Sequence, residues 1–184
     1  MRDIMIDIET LGTRPGSVTV SIGAVEFNAE TGSIGRRFYT RVSPKDGFKQ
    51  GLTIDVDTVL WWMQQDENAR QTTFFGEQDT LWFALHRLSE WVKVNSTPDL
   101  RVWGNGPSFD LVQLEEAYRS VNQDAPWSFR AHRDLRTLRD LTGVDIPQVG
   151  TTHNALDDAM AQAMAVIKAY EVLGLSRQPI VEAA

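Results

Sequence analysis

The chain has 184 residues, enough for one domain with a real hydrophobic core, and its 42% hydrophobic and 23% charged residues are an ordinary globular balance. It contains no cysteine, which excludes a disulfide framework and any thiolate metal site, and its net charge of −7 argues against a broad basic surface for nucleic acid. Acidic residues interrupt the first apolar run, so no signal peptide is expected, and no stretch approaches the roughly 18 consecutive apolar residues of a membrane span, so a cytoplasmic location is expected.

In chain order, residues 4–8 form a short apolar run that reads as a strand ending in a turn region at 10–16. Residues 18–27 alternate Val18, Val20, Ile22 and Ala24 with smaller or polar residues, and 37–42 alternate Phe38, Thr40 and Val42. Three strands joined by short turns predict an antiparallel meander. Residues 44–51 read as a loop. Helices are predicted over 55–65 and 79–94, the second with Leu81, Ala84, Leu85, Leu88, Trp91 and Val92 at helical spacing and Asp79 as N-cap. Residues 95–99 break that pattern, and 100–103 read as a short buried strand entering a Gly-rich loop. A helix follows over 110–121, a short strand over 127–132, and a brief helix from Asp134 to near Gly143. An alanine-rich helix covers 154–173, and 176–184 read as a loose tail after one domain, 1–175. The order predicts an α/β domain with a mixed central sheet flanked by helices.

Three separate segments carry the chemistry. Asp7 and Glu9 stand two apart on a predicted strand, so both carboxylates project from one face at the strand's end. Asp110 opens a helix after a buried strand and Gly104-Asn105-Gly106; it is also placed to cap that helix, and the glycines favour a close approach to a ligand. His153 precedes the last helix and Asp158 lies about one turn inside it, a pairing that suits a general base beside a carboxylate. Asp157 competes with Asp158 for that role, unless it serves the first turn of the helix electrostatically. Hard divalent cations take oxygen ligands. Two of them would cancel the charges of Asp7, Glu9, Asp110 and Asp158, so global acidity does not forbid a nucleic-acid substrate.

These residues carry a resemblance. The opening Asp-Ile-Glu-Thr at 7–10, Asn-x-x-x-Phe-Asp at 105–110 and His-x4-Asp at 153–158 resemble, in order and spacing, the DEDD superfamily of 3′→5′ exonucleases in its histidine-containing (DEDDh) branch. The likeness runs from residue 1 to about 173. Leu-Trp-Trp-Met at 60–63 further resembles a subgroup of small bacterial and phage exonucleases, and the set is similar to ribonuclease T-like enzymes. The resemblance implies a ribonuclease H-like fold, two Mg²⁺ or Mn²⁺ ions held by Asp7, Glu9, Asp110 and Asp158, and His153 as general base. It implies hydrolysis of single-stranded RNA or DNA from the 3′ end, with release of nucleoside 5′-monophosphates. One departure is that Trp103-Gly104-Asn105 stands where the family has Gly-His-Asn. The missing histidine removes no expected metal ligand and bears on substrate contacts instead. Dimers within the superfamily make a homodimer an expectation at family level.

Substrate contacts are expected from Thr10, Leu11 and Gly12, with Leu11 wedged against a base, and from Asn105 and Phe109. Trp61 and Trp62 are neighbours and lie about 100° apart on a helix; Trp61 is expected to face the cleft. Arg130, Arg133, Arg136 and Arg139 form the densest basic segment, either tracking phosphates or pairing with the interleaved Asp134 and Asp140. Two alternatives remain on the same fold: a nucleic-acid-binding module with a degenerate site, and a structure-specific endonuclease.

Overall fold

The computed structural model describes residues 2–94 and 97–177. Five strands form one mixed sheet: β1 Asp3–Thr10, β2 Thr19–Asn28, β3 Ser33–Arg41, β4 Arg101–Gly104 and β5 His132–Asp134, in the order β3-β2-β1-β4-β5. β1–β2 and β2–β3 pair antiparallel, whereas β1–β4 and β4–β5 pair parallel. The antiparallel meander with parallel additions matches the expected α/β class, with β1 in the centre.

Helices cover both faces. Ile4, Ile6 and Ile8 of β1 pack with Leu81, Leu85 and Leu88 of α4 (Leu81–Lys93) and with Leu111, Leu114 and Tyr118 of α5 (Asp110–Ser120). Met5 points the other way, with Val25, Phe27 and Trp103, onto Ala159, Ala163 and Val166 of α7 (Ala155–Val172) and Leu135 of α6 (Leu135–Thr142). A strand buried on both faces needs the near-continuous apolar run that β1 has. Each fully buried Leu, Ile or Val stabilises the fold by about 1.5–3 kcal/mol relative to exposure.

The acids of β1 share the α7 face, since side chains two apart project together. At the strand's start, Asp3 is fully buried and accepts from Arg101 Nε and Nη2 at 2.6 Å each and from Trp103 Nε1 at 2.9 Å. Asp7 and Glu9 lie further along the same face, towards the C-terminal ends of β1 and β4.

Several expectations need correction. Residues 44–51, expected as a loop, contain helix α1 (Pro44–Lys49), with Ser43 as N-cap and proline at its first position. A further helix, α3 (Glu67–Phe74), follows α2 (Val56–Met63); it has no apolar periodicity and buries only Ala69 and Thr73. The N-cap of α4 is Thr80, because Asp79 is turned to Thr40 Oγ1 at 2.6 Å and to Arg87. Residues 127–132 are mostly not strand: a 3₁₀ turn spans Phe129–Ala131 and β5 starts at His132. Residues 95 and 96 of the expected break and 178–184 of the expected tail lie outside the described residues. Arg177, within that tail, is tied down, its N–H donating to Glu30 O at 2.7 Å. No helix among the described residues is long and apolar enough to cross a membrane.

Candidate active site

The three acidic segments meet. Asp7 and Glu9 come from β1, Asp110 from the start of α5, and His153 and Asp158 from the entry to α7. With Asn105, Phe109, Arg136 and Gln162 they line a cavity of about 350 Å³. One ligand atom each from Glu9, His153 and Asp158 lies within 4.8 Å of the others.

Local sequence explains each placement. Asn154 caps α7, its side chain accepting from the Leu156 and Asp157 amides at 3.1 and 3.2 Å. Asp157 is used up by the loop, accepting from Thr151 N at 2.8 Å, which leaves Asp158 facing the cavity. His153 has φ 63, a left-handed backbone unusual for a residue with a Cβ. Two bonds hold it: its N–H donates to Asp158 Oδ2 at 2.9 Å, and its carbonyl accepts from Thr73 Oγ1 at 3.1 Å. Its ring meets Trp61 and Trp62 edge-on, with centroids 5.0 and 6.0 Å away. The unpredicted helix α3 therefore helps to hold the histidine, through Thr73.

Asp110 is the first residue of α5 and does not cap it through its side chain; Phe109 is the N-cap residue. Gly104 and Gly106 serve close packing within the site. A Cβ on Gly104 would lie 3.0 Å from Asp110 Oδ2, and one on Gly106 would lie 3.2 Å from Arg136 Nη2. Two residues missed in the sequence complete the arrangement. Gln162, one turn beyond Asp158 on α7, donates from Nε2 to Asp7 Oδ1 at 2.7 Å. Gly23 is the Cα partner of Asp7 across β1–β2, and a Cβ there would overlap the Ala155 carbonyl and the Leu156 nitrogen. The i, i+4 spacing of Asp158 and Gln162 was a readable signal for the first; no local signal marked Gly23.

The electrostatics are those of uncompensated acids. Burial, then the charges of Asp110, Glu9 and Asp158, hold the Asp7 carboxyl well above the usual carboxylate range. Glu9 is pushed up to about 8 by burial and then by Asp158 and Asp110. Burial raises Asp110 to about 7, against backbone N–H groups and Arg136, which favour its charged form. Burial also raises Asp158, opposed by His153. Among the described residues none of the four forms an ion pair with Lys or Arg. Buried like charges without a counter-ion are costly, and an all-oxygen acid set with one imidazole fits a hard divalent cation. Gln162 Oε1 and Asn105 Oδ1 are buried acceptors with no partner among the described residues, so the polar lining also has unused capacity.

The expected substrate contacts divide. A second cavity of about 460 Å³ adjoins the first through Ile8, Glu9 and Phe109, and is lined by Thr10, Thr58, Trp61 and Trp62. Trp61 is 41% exposed there, while Trp62 is buried and donates from Nε1 to Thr10 O at 2.9 Å. Leu11 is a correction: it is buried in the core with Val18 and Leu52 and lines neither cavity, so it is no wedge. Gly12 also lines neither; a Cβ there would overlap the Ser17 hydroxyl, and its carbonyl accepts from Thr10 Oγ1 at 2.7 Å. The basic segment splits as well. Arg136 lines the acidic cavity, Arg130 and Arg133 line another of about 550 Å³ near the start of β4, and Arg139 meets Val144 O and Asp145. Asp134 caps α6.

The family described as the 3′-5′ exoribonuclease Rv2179c-like domain matches residues 2–170. A search of curated proteins found no match. Among solved structures, the nuclease domain of 3′hExo, a DEDDh family member bound to rAMP, superposes with a TM-score of 0.62 at 15% identity, covering 95% of this chain and 94% of that one. Exonuclease I of E. coli in complex with a dT13 oligonucleotide gives 0.62 at 20% identity, over 96% of this chain and 41% of that one. Its complex with dA16 gives 0.64 at 18% identity, over 92% and 40%. This chain thus spans about two fifths of the Exonuclease I chain. These likenesses establish the ribonuclease H-like DEDDh exonuclease fold. The family match reaches from β1 almost to the end of α7, across every acid of the cavity, and so this chain belongs to the 3′-5′ exoribonuclease Rv2179c-like family and is a 3′→5′ exonuclease.

Proposed function

We propose that this chain hydrolyses single-stranded RNA from its 3′ end, releasing nucleoside 5′-monophosphates, with two Mg²⁺ or Mn²⁺ held by Asp7, Glu9, Asp110 and Asp158. The observation that carries the reading is the convergence of Glu9, His153 and Asp158 on one point from opposite ends of the chain. RNA is favoured over DNA by the description of the family. Bound there, the cations supply the positive charge that activates water and stabilises an in-line phosphoryl displacement.

The chain's own residues do the rest. His153, steadied by Trp61 and Trp62, accepts the proton of the attacking water at its imidazole nitrogen. Gln162 fixes one oxygen of Asp7 and so the direction of the other. Phe109 and Trp61 offer faces for the terminal bases, and Thr10 and Asn105 offer polar contacts to the nucleotide. Residues 1–175 act as a single exonuclease domain in the cytoplasm, and a homodimer is the family-level expectation, which light scattering of the purified chain checks.

The central test uses short RNA and DNA, labelled at either end, with Mg²⁺ or with EDTA. Mononucleotides should leave the 3′ end of RNA only when metal is present. Asp7→Ala should abolish release, and His153→Ala should lower the rate by roughly 10²–10⁴-fold while leaving metal binding in place. Undiminished turnover in Asp7→Ala would falsify the site assignment.

A further inference from the structure

The acidic cavity contains one permanent cation. Among its described lining residues Arg136 is the only Lys or Arg. Several arginines elsewhere are paired with carboxylates: Arg36 with Glu26, Arg87 with Asp79, Arg101 with Asp3 and Arg119 with Glu116. Among the described residues Arg136 has no such pair and its guanidinium makes no hydrogen bond; the residue is exposed and lines the cavity. A purely structural arginine would be expected to lie in an ion pair with Asp110. Here it lies close enough to favour that acid's charged form, but not within ion-pairing distance.

The backbone is arranged for this side chain. Arg136 sits in the first turn of α6, and its N–H donates to Asn105 O at 3.1 Å, joining the helix to the loop that leads into Asp110. The guanidinium lies against Gly106. A Cβ there would be 3.2 Å from Nη2 and 3.4 Å from Cζ, tighter than ordinary packing, so the glycine leaves the room that the arginine occupies.

Charge arithmetic then suggests what Arg136 meets. Two divalent cations would neutralise Asp7, Glu9, Asp110 and Asp158, leaving the phosphodiester's own charge uncompensated. That charge spreads over the non-bridging oxygens as the phosphoryl group transfers. A guanidinium presents planar, paired donors that match a phosphate edge, and it cannot be deprotonated at working pH. We propose that Arg136, seated on Gly106, binds a non-bridging oxygen of the scissile phosphodiester and stabilises its charge during hydrolysis. Water oxygen bonds to phosphorus, the bond from phosphorus to the penultimate 3′-oxygen breaks, and that oxygen leaves and takes up a proton. Arg136 gives up no proton; it supplies charge and orientation. The inference rests on the exonuclease reading of the same cavity.

The test compares wild type, Arg136→Ala, Arg136→Lys and Asp7→Ala on a dinucleoside monophosphate, which has only the scissile phosphate, and on a short RNA. Arg136→Ala should lower kcat by a similar factor on both, roughly 10²–10³-fold, and Arg136→Lys should recover part of it. A stereospecific phosphorothioate penalty in wild type should shrink in Arg136→Ala. The Mn²⁺-induced rise in Tm should persist in Arg136→Ala and vanish in Asp7→Ala. Full activity of Arg136→Ala on the dinucleoside monophosphate overturns the proposal, whether or not the longer RNA is affected. Loss of the Mn²⁺ shift in Arg136→Ala also overturns it, since Arg136 would then act by holding Asp110. Active Asp7→Ala defeats the underlying site reading instead, so the two failures are distinguishable.

Discussion

Asp7 and Gly23 face each other across β1 and β2, and the first turn of α7 rests in the space that Gly23 leaves open. That contact sets how closely Asp158 and His153 approach the β1 acids. Gly23→Ala should destabilise the fold by about 1–3 kcal/mol through overpacking. By lifting the helix entry it should also lower turnover on the order of 10²-fold, as expected for a misplacement near 1 Å. Denaturant unfolding and a nuclease assay measure the two effects. A variant that is less stable but fully active would show that the α7 entry can shift without harm to the site.

The pH dependence of the metal-free protein follows from the carboxyl shifts. Glu9 moves from 4.5 up to about 8 and Asp110 from 3.8 up to about 7, with Asp7 and Asp158 also raised. The folded state therefore holds protons more tightly than the unfolded chain does. Its stability from these groups is full below their unfolded values and is lost as pH rises through the folded ones. In EDTA, Tm should fall as pH rises from about 4 to about 8, and saturating Mg²⁺ should raise it most at the alkaline end. Scanning calorimetry across that range decides the point; a Mg²⁺ increment that shrinks as pH rises contradicts it.

Gln162→Leu keeps the approximate volume of the side chain and removes the donor to Asp7. Losing a hydrogen bond that orients a metal-binding carboxylate typically weakens metal affinity about 10–100-fold. Calorimetric titration of the metal-free variant with Mn²⁺ should show that loss, and an isotherm equal to wild type would reduce Gln162 to a packing residue.

The adjacent tryptophans should separate by assay. Trp62→Phe removes the donor to Thr10 O inside the protein and should cost about 1–3 kcal/mol of stability. Trp61→Ala removes a ring that is 41% exposed and packs edge-on against Trp62 and His153; it should lower Tm less than Trp62→Phe does, and raise KM for RNA by the equivalent of about 1–3 kcal/mol of base stacking. If Trp61→Ala left KM unchanged, the second cavity would not receive a base.

The sequence disclosed the acids because their identity and order were themselves the signal. Asp7 and Glu9 needed only the two-residue repeat of a strand to share a face. The hydrophobic periodicity of α4 and the apolar run of β1 were likewise local and readable. What stayed hidden depends on distant partners. Gly23 looks like any strand glycine until Ala155 arrives against it, and Gln162 like any helix glutamine until Asp7 does. Leu11 follows the acids, which makes a wedge the natural expectation, yet the chain turns there and buries it with Val18 and Leu52. Helix α3 has no pattern to read because it buries so little, and its hydrogen bond to the site comes from one hydroxyl, that of Thr73, on the His153 carbonyl.

Strand β1 bears acids on one face with opposite fates. Asp3 has its counter-charge supplied from within, by Arg101. Asp7 and Glu9, a few residues on, have none among the described residues, and so depend on whatever the surroundings deliver. Folding and readiness for chemistry are thereby separated: the polypeptide alone can complete the lower end of this strand, while the upper end answers to the ionic supply of its environment.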